Sequence, residues 1–498
     1  MELSLNSYEW RRLKSCIFIV SCTALLAILS SRNELGLISG WPAALCLAIF
    51  LLDYQLGPIC FILSFAYEAP VVLAAQYGLG AFIRLDELIF LPLLVSWILR
   101  YSTGKSKFNT NAPLFILFTL YFILVFLSLI LRYDAISSTA FINTATGWKG
   151  LGPLIYKAIE VVLGYMIITD VTLRDGTKKI MFYSLFVVAI FAPTLAFLVS
   201  HGFIKTGLFA LVTEYDPQGF YTRFSLYGNT SAWGVLLVSY FFILLCFNVF
   251  INRPAAKLIS LLVMCFCIDG ILISGTKTAM ICILFGSAIM ILRNIKHIIL
   301  NIKSIVLIFV IIIVMSWFLS HLTTESQKGS IATQVETASL GGGLFGVNET
   351  IGDTSIGVRL EQLGLAWNLL IEDPTHLILG QGWQSRANNP LGVAPHNDIT
   401  NAILDMGIIG AFFVIGYYIL MICQFKAKYG DKGLGKRFAL VREALLVIAV
   451  LMMVSSFTGE NLTFYPGIDV VFPFLTMVSG VAWNYITHIR ENINVVFS

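Results

Sequence analysis

Apolar residues in this chain come in long blocks separated by short polar breaks. The blocks lie at roughly 15–31, 35–52, 56–75, 84–99, 112–131, 153–169, 180–199, 226–250, 258–274, 277–292, 304–320, 400–424, 443–459 and 468–486. A helix needs about 20 apolar residues to cross the hydrocarbon of a bilayer, and most blocks approach that length. Lipid offers no partner for a backbone N–H or C=O, so runs of this kind are helices rather than irregular structure. The pattern therefore predicts an all-α, polytopic transmembrane bundle of about 14 spans. The third block is interrupted by Glu68 and Pro70. The first follows Arg11, Arg12 and Lys14, as a signal peptide would. It lacks a small-residue cleavage site and further spans come at once, so it reads as a retained anchor.

The breaks divide the chain into three regions. Residues 1–320 carry the first eleven spans, residues 321–399 form one long loop, and residues 400–498 carry the last three spans. The long loop is the only break with room for a small subdomain outside the membrane. It opens on flexible-looking sequence around Thr323, Thr324 and Ser326, followed by Gly341, Gly342 and Gly343. From Ser355 to Asn368 the apolar residues Ile356, Leu360, Leu363 and Trp367 recur at helical spacing, and Pro374 stops the pattern. Arg359 is thereby placed on a helix beside the membrane. Gly380, Gly382, Pro390, Gly392 and Pro395 then shape a loop that leads to His396 and Asn397.

Charge gives the bundle an orientation. With the N-terminus in the cytoplasm and the chain alternating, the cytoplasmic breaks receive Arg100, Lys105 and Lys107, then Arg174, Lys178 and Lys179, then Arg253 and Lys257. Arg293, Lys296 and Lys303 follow, and the densest group is Lys426, Lys428, Lys432, Lys436, Arg437 and Arg442. The opposite face has the longer loops, 132–152, 200–225 and 321–399, and few bases. This asymmetry is the positive-inside pattern, repeated along the chain. The C-terminus falls in the cytoplasm as well.

Composition excludes several classes. Hydrophobic residues make up 58% of the 498, charged residues only 12%, and mean hydropathy is +0.85. A soluble domain carries about 25% charge, so this chain is not a soluble enzyme with a large core. The net charge of +4 comes from bases scattered among short loops, which is no footprint for nucleic acid. Nine cysteines sit mostly in apolar blocks, as do Cys46, Cys60, Cys265 and Cys267, and read as small hydrophobes. With no CxxC pair and no His/Cys cluster, the sequence predicts neither metal nor cofactor.

Four residues on the outer face carry candidate chemistry. Arg223 precedes the eighth span, Lys277 follows Ser274-Gly275-Thr276 in a tight outer hairpin, and Arg359 and His396 lie in the long loop. Each base alone reads as a snorkelling or ion-paired residue. Together, two or three fixed cations are what a lipid diphosphate requires. Arginine offers a planar fork for phosphate oxygens, lysine a compact point charge, and both offset charge growing on a diphosphate leaving group. His396 sits in Ala394-Pro395-His396-Asn397-Asp398 just ahead of a span. It is the best candidate to deprotonate an attacking sugar hydroxyl, with Asn397 or Asp398 orienting the ring or the sugar. The plainer alternative makes it a helix cap. His201, His321 and His376 are also outer but lack a comparable setting.

Asp86, Glu87, Glu160 and Asp269 fall within or at the ends of spans, where partners such as Arg84 or a watery cavity are expected. They also suit a transporter or flippase. Against that class, the sequence shows no inverted repeat and no matched pair of broken helices.

Residues 220–420 resemble the O-antigen ligase and O-antigen polymerase superfamily of bacterial envelopes. The likeness rests on Arg223 with Gly228-Asn229, on Ser274-Gly275-Thr276-Lys277, and on Gly357-Val358-Arg359 with Trp367, Pro374 and Gly380-Gln381-Gly382. It continues in His396-Asn397 followed by Asp405-Met406-Gly407 and Gly410. The resemblance implies a metal-independent glycosyltransferase of the GT-C type at the outer face of the bacterial inner membrane. Its donor would be an undecaprenyl-diphosphate-linked glycan. Arg223 and Arg359 would bind the diphosphate, joined by Lys277, and His396 would activate the acceptor, with Asn229, Asn397 and Asp398 supporting. Lys277 stands where arginine is frequent, which keeps the charge and loses the fork. The ligases usually have 12 spans, so a count of about 14 leans towards a polymerase. A polymerase joins lipid-linked repeat units into O-antigen or capsular polysaccharide, with a chain-length regulator protein as a candidate partner. A ligase would pass the glycan to lipid A–core or to protein.

Overall fold

A computed structural model describes residues 5–32, 41–67, 84–131, 147–204, 213–215, 223–225, 230–250, 254–274, 276–299, 398–426, 436–456 and 471–497, with seven isolated positions between 364 and 380. Thirteen α-helices are found among them: α1 Ser7–Arg32, α2 Trp41–Leu52, α3 Gly57–Ser64, α4 Leu85–Ser102, α5 Phe115–Leu131, α6 Gly147–Ile168 and α7 Asp175–Ser200. They continue with α8 Thr230–Phe250, α9 Pro254–Ser274, α10 Lys277–Ile299, α11 Asp398–Lys426, α12 Lys436–Ser456 and α13 Val471–Phe497. Each falls on an expected apolar block; the expected span at 304–320 lies outside the described residues, as does nearly all of the loop at 321–399. By length and apolarity, three described segments can cross a membrane: Asp175–Ser200, Pro254–Ser274 and Met406–Phe425. A fourth is added if α2 and Tyr54–Ser64, bent by 119°, count as one span. The chain is thus all-helical in class, with a few membrane-capable helices.

The surface and interior suit lipid as the solvent. Outward-facing residues are large and apolar, such as Leu284 at 72% and Phe412 at 69% exposure, with Phe18, Ile116 and Leu258 alike. The interior meanwhile holds polar side chains, among them Thr23, Ser184, Ser239, Ser260, Thr476 and Ser479. Several return their hydroxyls to a carbonyl one turn back, as Ser184 does to Ile180 and Ser239 to Val235. Others bridge helices, as Tyr417 does to Thr476 and Ser479 to Gln424. Close helix approach comes from small residues: a Cβ at Gly286 of α10 would meet Leu451 of α12 and Phe242 of α8 at 2.6 Å. α7 and α8 occupy the centre, α7 packing on α3, α8, α9 and α13, and α8 on α9, α10 and α12.

One end of the bundle collects the breaks expected to be cytoplasmic. Glu9 at the start of α1 accepts a hydrogen bond from Lys179 of α7 at 3.0 Å, and Arg12 pairs with Asp53 in the bend after α2. Gln55 accepts from the Arg174 backbone at 3.0 Å and the Thr177 hydroxyl at 2.8 Å. Asp170, between α6 and α7, accepts from the Trp97 indole at 3.1 Å and the Lys107 backbone at 3.2 Å. Asn484 of α13 donates to the last carbonyl of α6, that of Ile168. These contacts join chain segments separated by up to 316 positions. The start of α1, the bend after α2, the break after α4 and the break between α6 and α7 thus meet at one end of the bundle.

At the opposite end, α4 opens on a buried charge cluster. The Arg84 guanidinium meets Asp86 at 2.8 Å, with both side chains fully buried, and the Arg84 N–H donates to Glu87 at 3.0 Å. Two carboxylates in a first helical turn are favoured by the helix dipole. Arg84→Met removes the guanidinium that faces the buried Asp86 carboxylate, and breaking a buried pair costs roughly 3–5 kcal/mol. Thermal unfolding in detergent should show a markedly lower midpoint, partly recovered when Asp86→Asn is added; an unchanged midpoint for Arg84→Met would contradict this account.

Candidate functional site

Among the described residues, the candidates Arg223 and Lys277 lie at the end of the bundle opposite the Asp170 cluster, on a strand before α8 and at the start of α10. Between α7 and α8 a short antiparallel pair forms, Thr213–Tyr215 (β1) with Arg223–Ser225 (β2), and Tyr215 lies opposite Arg223. From the sequence this stretch reads as a loop over 200–225. Its signal was present in the turn residues Asp216, Pro217 and Gly219 between two short alternating runs. Strand β2 packs against α8 and α9, with Ser225 fully buried. Arg223 is thus anchored by its backbone against α8 and α9.

Lys277 is the first residue of α10. The preceding turn is held by the Ser274 hydroxyl, which donates to the Thr276 hydroxyl at 3.1 Å. It rests on α8 at a point where no side chain fits: a Cβ on Gly234 would lie 2.9 Å from the Thr276 Cβ and 3.0 Å from that of Ala279. The strand bearing Arg223 and the helix begun by Lys277 are therefore both fixed against α8. Asn229, Arg359, His396 and Asn397 lie outside the described residues. Asp398, the remaining supporting residue, is the first residue of α11 and is buried, as are Thr400 and Asn401 on the same turn.

α11 is two helices rather than one. Gly407 has φ 65° and ψ −155°, which breaks the helix between its head, 398–406, and its long apolar body. The head folds back so far that a Cβ on Gly410 would collide with the Ala402 carbonyl. The backbone at Ile378 and Gly380 presses into the break, with the Gly380 nitrogen 2.7 Å from where a Gly407 Cβ would sit. Gly380 and Gly407, noted in separate sequence motifs, are in this way packed backbone against backbone. Gly364, Trp367, Asn368 and Ile371 have helical backbone, and Trp367 and Ile371 expose about half their surface.

A histidine passed over in the sequence has a distinct setting. His201 caps the C-terminus of α7, and its Nε2 faces the Asp269 carboxylate of α9 at 3.8 Å, with both side chains buried. Its Nδ1 lies 3.0 Å from the Phe197 carbonyl and from the Ser200 hydroxyl, and the ring stacks near Phe197. Asp269 therefore has His201 as its neighbour, while Arg84 pairs with Asp86. No local sequence signal links them, because 68 positions separate the two. Burial pushes the imidazole below its ordinary range, while the Phe197 carbonyl pulls the other way. A lowered folded value means that the unfolded chain binds the proton first. Stability is then full above about 6.5, the ordinary histidine value, and declines as pH falls through that value towards the folded one. His201→Gln should flatten this decline in thermal midpoint; an unaltered slope would contradict the assignment.

Among the described residues no cluster of three or more His, Cys, Asp or Glu side chains is placed to hold a metal ion. No family model matches the chain, and no curated protein matches it.

Proposed function

We propose that this chain is a membrane glycosyltransferase that polymerises undecaprenyl-diphosphate-linked oligosaccharide repeat units at the outer face of the inner membrane. The observation that carries the reading is the joint anchoring of the Arg223 strand and the Lys277 helix start against α8, at the end of the bundle opposite the Asp170 cluster. Two cations fixed to a rigid scaffold suit a diphosphate, whose charge must be matched as the glycosidic bond to it breaks. Arg359 completes the diphosphate grip. His396 takes the proton from the acceptor hydroxyl, which attacks the anomeric carbon while undecaprenyl diphosphate departs. Asn229, Asn397 and Asp398 position the reacting groups. No metal is required, because the cations supply the charge. A chain-length regulator is the protein partner that fits this reaction, and the N- and C-termini are cytoplasmic.

A ligase remains the nearest alternative, since it uses the same donor. The break in α11 favours a third reading, transport, because discontinuous helices line substrate sites in transporters. Removing the chain from its cell distinguishes them. Loss of polymerisation leaves single repeat units on the lipid carrier, the expected result. Long polymer retained on the carrier would point to a ligase, and repeat units trapped on the cytoplasmic leaflet to a flippase.

A further inference from the structure

Asn401 lies on the first turn of α11 and is 2% exposed, yet among the described residues neither its carboxamide oxygen nor its nitrogen has a hydrogen-bond partner. A buried amide left in this state is costly, because it has given up its bonds to water and gained none in return. Helical side chains lean towards the N-terminus of their own helix, so this amide leans over the turn begun by Asp398. That turn is held rigidly, with the break at Gly407 behind it and the Ile378–Gly380 backbone wedged into the break.

The unmet groups define the ligand. A carboxamide offers two donors and one acceptor oxygen. A phosphate satisfies the nitrogen and repels the oxygen, and the buried Asp398 carboxylate on the same turn disfavours it further. A metal ion satisfies the oxygen alone. Adjacent hydroxyls of a sugar donate and accept at neighbouring atoms, so they satisfy both ends of the amide and leave Asp398 an acceptor for a further hydroxyl.

We propose that Asn401, with Asp398 and Thr400 on the same turn, forms a sugar-binding subsite that recognises neighbouring hydroxyls of the lipid-linked glycan. The inference rests on the glycosyltransferase reading and adds to it the point at which the sugar, as distinct from the diphosphate, is held.

The test replaces Asn401 by leucine, close to it in size and free of polar atoms, in the full chain in lipid nanodiscs. Two probes are compared: undecaprenyl diphosphate, and lipid-linked oligosaccharide extracted from membranes of the source cells. The expected result is a thermal midpoint equal to or above wild type, because an unmet polar group has been removed. Affinity for the lipid-linked oligosaccharide should fall by roughly tenfold, about 1.4 kcal/mol, with undecaprenyl diphosphate bound as before. Unchanged affinity for both probes overturns the subsite. Equal weakening of both overturns it too, as does a lowered midpoint, which would show that the amide is structural or holds water. If Asn401→Leu does not insert, Asn401→Ala carries the same expectations. Failure of wild type to bind either probe would instead remove the glycosyltransferase reading, a result separable from all the others.

Discussion

Gly407→Ala is expected to leave little correctly folded protein. At φ 65° and ψ −155° the residue occupies a region open almost only to glycine, and a side chain there costs on the order of 1–3 kcal/mol from the backbone alone. The added Cβ also meets backbone rather than a yielding side chain, with the Ile378 carbonyl carbon at 2.5 Å and the Gly380 nitrogen at 2.7 Å. Relief requires the 378–380 segment to withdraw or the head of α11 to swing away. Either movement displaces Asp398, Thr400 and Asn401 together. Size-exclusion profiles and thermal unfolding in detergent should show loss of the monodisperse peak or a steeply lowered midpoint. A Gly407→Ala chain as stable as wild type would mean that the head is not fixed as described.

His396→Ala should do the reverse: leave the fold and abolish the reaction. The proposed role is removal of one proton from the attacking hydroxyl, and general-base catalysis of that kind contributes about 10²–10⁴-fold in rate. In cells, the expected result is normal insertion with repeat units stalled on their lipid carrier. Arg359→Ala should stall them as well, by weakening the grip on the diphosphate. Polymer of normal length from the His396→Ala chain would remove the base assignment while leaving the cationic site intact.

How much of this was legible in the sequence follows from the range of the forces involved. Membrane burial acts on every residue of a block, so the apolar runs predicted where the thirteen helices lie, and basic residues predicted which breaks share an end. Around Asp170 two of those breaks do meet, since Trp97 and Lys107 reach its carboxylate from α4 and the break after it. Pairings between distant positions leave no such trace. Arg84 is the partner expected for the span carboxylates and pairs with Asp86, two residues along, but the pairing of Asp269 with His201 leaves no sequence signal. The break at Gly407 was hidden because a single backbone torsion alters no periodicity, and the apolar pattern runs on through it. Its glycines at 380, 407 and 410 were visible as motif residues, but their common reason, close backbone packing, appears only when the two segments are seen together. Asn401 attracted no notice in the sequence because an asparagine near the start of a helix is ordinary. Its burial without a partner is not.

The central claim is that the chain itself joins lipid-linked repeat units. Purified protein in nanodiscs, supplied with lipid-diphosphate-linked repeat units and no lipid A–core, tests it most directly. The account predicts a ladder of lengthening glycans that is absent with the His396→Ala chain. No elongation unless lipid A–core is supplied, or passage of the donor across the bilayer without chemical change, would contradict it.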